Sequence, residues 1–99
     1  MRKIKRMAET IKDELCSAKD YAEEYLSEKA KNNPQIANRY KEMANDELKH
    51  AMYIHDFAVA EIESLRKIYT PPENMLEKWD KAHKEYVEKA AWVKQMLAM

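Results

Sequence analysis

Lys31-Asn32-Asn33-Pro34 interrupts a chain that otherwise offers little except helix. Asn33 is a good N-cap and Pro34 suits the first position of a helix, so one helix should end and another begin here. A second interruption, Thr70-Pro71-Pro72-Glu73, works the same way, with Thr70 or Pro72 opening a third helix. The 99 residues contain no glycine and three prolines. Tight β-hairpins want Asn-Gly, Asp-Gly or a similar pair, and none is present. Phosphate loops and dinucleotide fingerprints need glycine as well, so those nucleotide-binding modes are excluded. Thirteen alanines and a 36% charged fraction complete the profile of long helices. The predicted helices cover about residues 3–31, 34–69 and 73–97 of one domain, 1–99.

Each helix carries one apolar seam at three-and-four spacing. The first runs through Ile4, Met7, Ala8, Ile11, Leu15, Ala18, Tyr21, Ala22 and Tyr25. The second runs through Ile36, Ala37, Tyr40, Met43, Ala44, Ala51, Ile54, Ala58, Ile62, Leu65 and Ile68. The third runs through Leu76, Trp79, Tyr86, Ala90, Val93 and Leu97. Short connections make successive helices antiparallel. The expected fold is therefore all-α, a long helical hairpin with a third C-terminal helix. At 1.5 Å per residue the second helix would be about 50 Å long. A compact domain of this size has a radius of gyration near 13 Å, so the predicted helices are too long for one. Thin helices bury little unless another surface covers them. A homo-oligomer, at least a dimer, is the expected remedy.

Charge narrows the partners. Eighteen basic residues balance eighteen acidic ones, which argues against a nucleic-acid partner. Arg2, Lys3, Lys5 and Arg6 make a basic N-terminal edge without the apolar stretch of a secretory signal. No apolar run approaches the roughly 18 residues of a membrane span. Cys16 is the single cysteine, with no CxxC partner and no evident base, and reads as a small residue beside the helix core. A reducing, cytoplasmic setting is expected.

The informative residues interrupt the seams. Glu14 lies between Ile11 and Ala18, and Glu47 between Ala44 and Ala51. An unpaired carboxylate on such a stripe costs stability or takes up a proton. His50 follows Glu47 by three, on the same helix face. By itself E-x-x-H is a weak signal in a chain with thirteen Glu. Register strengthens it: if the first two helices fold back around residue 32, Glu14 lies level with position 50. Two carboxylates and an imidazole converging in a helix pair can make a half-site for a transition metal. They can equally make a hydrogen-bonded polar layer that fixes helix register in a non-enzymatic assembly protein.

Glu14, with Ala18 and Tyr21 after it, then Glu47-x-x-His50 across a hairpin, resembles the ferritin-like diiron carboxylate proteins. The resemblance covers roughly residues 10–58, half of that family's four-helix bundle. In layout it is similar to the small encapsulated ferritins and to short ferritin-like proteins of bacteria and their phages. It implies Glu14 as a terminal ligand, Glu47 as a bridging carboxylate and His50 as the nitrogen ligand. It also implies two iron ions per dimer and Fe(II) oxidation by dioxygen. An encapsulating shell or a phage component is the partner it suggests. Mn(II) and Zn(II) suit the same donors.

One hairpin holds half the ligands, so a second copy should supply the rest across a two-fold axis. The third helix carries Asp80-Lys81-Ala82-His83, a related spacing. A fold near residue 71 would place this pair opposite Glu61, as a separate polar layer or a weaker metal site. Tyr21 and Tyr25 are expected to pack rather than bond to the carboxylates. His55, beside the seam, is expected to be solvated.

Overall fold

A computed structural model describes residues 2–99. They form three helices: α1 (Arg2–Ala30), α2 (Pro34–Ile68) and α3 (Glu73–Ala98). The described residues form an all-α rod with principal extents of 56 × 18 × 17 Å and a radius of gyration of 16.0 Å. That radius exceeds the roughly 13 Å of a compact domain of this length. No helix among the described residues is long and apolar enough to cross a membrane.

The α1–α2 turn manages without glycine. Asn32 takes the left-handed conformation, φ 62°. Its N–H donates to the Lys29 carbonyl, and the Asn33 N–H donates to that of Glu28. These two bonds make a Schellman ending, in which Asn tolerates the place glycine usually fills. Pro34 begins α2, as expected. Asn33 does not cap it through its side chain. Its Nδ2 instead donates to Glu28 Oε2 at 2.8 Å, tying the turn back to α1.

Small residues bring α1 and α2 together. Ala18, Ala22, Ala44, Ala51 and Ala58 are fully shielded from solvent, with Ile11 and Leu15 beside them. α3 lies along α1 and touches α2 only sparsely. It runs parallel to α1: Trp92 stands by Lys19, and the Met99 carbonyl accepts from Lys29.

This placement corrects the expected seams. Leu48 is buried, and it shares with His55 the flank of α2 nearest α3. Met75 and Met96 join the core of α3. On the other flank of α2, Ile36 and Met43 are exposed because no helix packs there. Ile68 is 79% exposed at the free end of α2.

Candidate metal centre

Glu14 comes from the middle of α1, and Glu47 and His50 from the middle of α2. Each carboxylate stands beside shielded alanines, so the two backbones approach and the longer polar side chains share the remaining edge. One donor atom from each of the three residues lies within 4.8 Å of the other two. His50 Nδ1 stands 3.9 Å from Glu14 Oε2 and 3.8 Å from Glu47 Oε1. These distances are too long for hydrogen bonds. Donors that share one ion at 2.0–2.2 Å stand about 3–4 Å apart.

The environment is graded. Glu14 and Glu47 are mostly covered, whereas the His50 side chain is 57% exposed. Glu14 Oε2 is closed off from water and has no hydrogen-bond partner. Burial raises the Glu14 carboxyl above its ordinary range, the Glu47 charge raises it further, and His50 pulls it partly back. An orphaned carboxylate oxygen facing an imidazole and a second carboxylate is a donor set that a divalent cation would satisfy.

Other expected positions resolve differently. Tyr21 stacks on Tyr40 at a centroid separation of 6.4 Å. Tyr25 is buried, with the Lys29 and Lys41 ammonium groups 5.8 and 5.6 Å from its ring centre. Neither tyrosine bonds to the carboxylates among the described residues. Glu61 does not meet Asp80 or His83; its Oε2 pairs with Lys3 Nζ at 3.4 Å. Lys3 and Glu61 are equidistant from residue 32, as Glu14 and His50 are, so both pairs obey one register.

His83 meets His55 instead, with His55 Nε2 and His83 Nδ1 2.7 Å apart. His55 is not solvated: its side chain is 15% exposed. Its ring lies 4.6 Å from that of Tyr86 and 5.5 Å from that of Trp79. This pair is symmetric about residue 69 rather than 71, a shift of about one helical turn along α2. The cause is the extended backbone at Tyr69 and Pro72, which lets α3 begin beside the last turn of α2.

No family model, curated protein or solved structure matches this chain.

Proposed function

We propose that this protein is a ferritin-like metal-binding protein whose Glu14, Glu47 and His50 form half of a diiron centre. A second copy supplies the other half. The observation that carries the reading is the convergence of three donors within 4.8 Å, one carboxylate oxygen being shielded and unbonded. A register-setting polar layer would instead be expected to close its hydrogen bonds, and His50 Nδ1 stays 3.8–3.9 Å from both carboxylates.

Support for a second copy comes from the flank that α3 leaves open. Ile36, Met43, His50 and Phe57 recur every seven residues along α2, and the three apolar ones are 51%, 41% and 58% exposed. A seven-residue apolar repeat is the pattern of a helix that packs against another helix. Its two-fold copy would bring the exposed His50 and the mostly covered carboxylates of both chains to one place.

Iron bound there would supply electrons to dioxygen as Fe(II) is oxidised. The chain's own part is to hold the donors: Glu14 and Glu47 neutralise charge, and His50 contributes nitrogen. A reducing, cytoplasmic setting belongs to the same reading, and a free, exposed Cys16 is compatible with it. Metal analysis of purified protein, with oxygen uptake on adding Fe(II), tests the reading. About two irons per dimer with Fe(II)-dependent oxygen consumption is the expected result. A metal-free protein that leaves added Fe(II) unbound would overturn it.

A further inference from the structure

We propose that His55 and His83 form a second metal site, which takes a borderline divalent ion such as Zn(II) and fastens α3 to α2. It lies on the flank of α2 away from His50. At about 100° per residue, His55 stands roughly 140° around the helix from His50. The inference does not depend on iron at the carboxylate centre.

Two imidazole nitrogens from different helices face each other at 2.7 Å. With metal–nitrogen bonds of about 2.05 Å, two ligating nitrogens stand about 2.9 Å apart at a right angle and about 3.3 Å at the tetrahedral angle. A separation of a few tenths of an ångström, with each ring turned so that its lone pair points off the N···N line, would admit the ion. His55 is held for this role, its ring lodged against Trp79 and Tyr86. His83 is more exposed, giving an ion a way in.

Proton bookkeeping closes. In the hydrogen-bonded pair, one ring donates and the other accepts. To bind the ion, both rings stay neutral, and any proton on His55 Nε2 moves to Nδ1. That nitrogen lies 3.5 Å from Asp56 Oδ1, a negative charge that favours a proton on this side of the ring. His83 binds through Nδ1 with its proton on Nε2, any proton on Nδ1 having moved there, and no net proton is released. Water fills the remaining positions. Two imidazole nitrogens favour Zn(II), Ni(II) or Cu(II) over Mn(II) and Fe(II).

Zn(II) titration by calorimetry tests the site in the Glu47→Gln protein, where the carboxylate centre is weakened. One Zn(II) per chain is expected, with the ring resonances of His55 and His83 shifting in NMR spectra. Adding His83→Gln, at an exposed position that should leave helicity unchanged, should weaken binding at least tenfold and abolish those shifts. His55→Gln should do the same, giving a second, independent loss. Retention of full Zn(II) affinity in Glu47→Gln/His83→Gln would overturn the proposal. So would a Glu47→Gln protein that binds no Zn(II) at all.

Discussion

Glu14 and His50 meet across the α1–α2 pair with Oε2 and Nδ1 3.9 Å apart, near enough to feel each other's charge and too far to hydrogen-bond. The Glu14 oxygen on that side is shielded from water. The folded metal-free protein therefore bears an electrostatic cost at this point that a bound cation would relieve.

That cost has a pH signature. Burial and the Glu47 charge raise the Glu14 carboxyl, so the folded chain holds this proton more tightly than the unfolded one. The linked stability is fully present below the ordinary carboxylate range and is lost as pH rises through the raised value. Glu14→Gln should remove this dependence. In metal-free protein, the variant's stability relative to wild type should improve between pH 4 and pH 7 by on the order of 0.5–1 kcal/mol. The effect is kept small because the side chain retains some solvent contact. Urea denaturation of both proteins at the two pH values measures it. Equal differences at both pH values would refute the electrostatic account.

Glu47→Gln keeps the shape of the side chain and removes its charge. Without metal it should match or exceed wild type in stability, by about 1 kcal/mol at most given partial solvation. It should also lack the rise in melting temperature that the proposed centre predicts for the wild type with Mn(II). Mn(II) is the useful probe because the two-histidine site favours softer ions. A variant that melts lower without metal, with Mn(II) moving neither curve, would point to a register-setting polar layer instead.

The open flank of α2 makes a separate demand. Phe57 is 58% exposed and lies one heptad beyond His50. Phe57→Asp should leave helicity and monomer stability within about 0.5 kcal/mol of wild type, as exposed substitutions usually do. If the proposed dimer forms through this flank, the variant should nevertheless shift toward monomer in sedimentation and weaken Mn(II) binding in parallel. Dissociation without loss of metal would mean that one chain suffices for the site.

Alanine packing positions the carboxylates. Ala51 is fully shielded where α1 and α2 approach, one turn after Glu47. Ala51→Leu should cost about 1–3 kcal/mol by overpacking. By spreading the helices it should also weaken Mn(II) binding more than Phe57→Ala, which only trims the open flank. Thermal melts with and without metal separate the two effects. An Ala51→Leu protein with unchanged metal affinity would show that the site does not depend on this close approach.

The helices and the level of the carboxylate cluster were legible in the residues themselves. Without glycine, and with only Asn32-Asn33-Pro34 able to turn the chain, the first connection has no slack. Residues equidistant from position 32 therefore meet, as Glu14 and His50 do, and Lys3 and Glu61. Periodicity within one helix also marks an apolar side, because the spacing of 3.6 residues per turn is a local property. It says nothing about which flank of that side a third helix will cover. That choice rested on the extended Tyr69-Thr70-Pro71-Pro72 connection and on α3 packing along α1 rather than squarely on α2. It buried Leu48 and brought His55 to His83, while Ile36 and Met43 stayed in solvent. These contacts join residues far apart in the chain. They were decided only when three seams competed for the same neighbours, and α1, flanked on two sides, took the largest share.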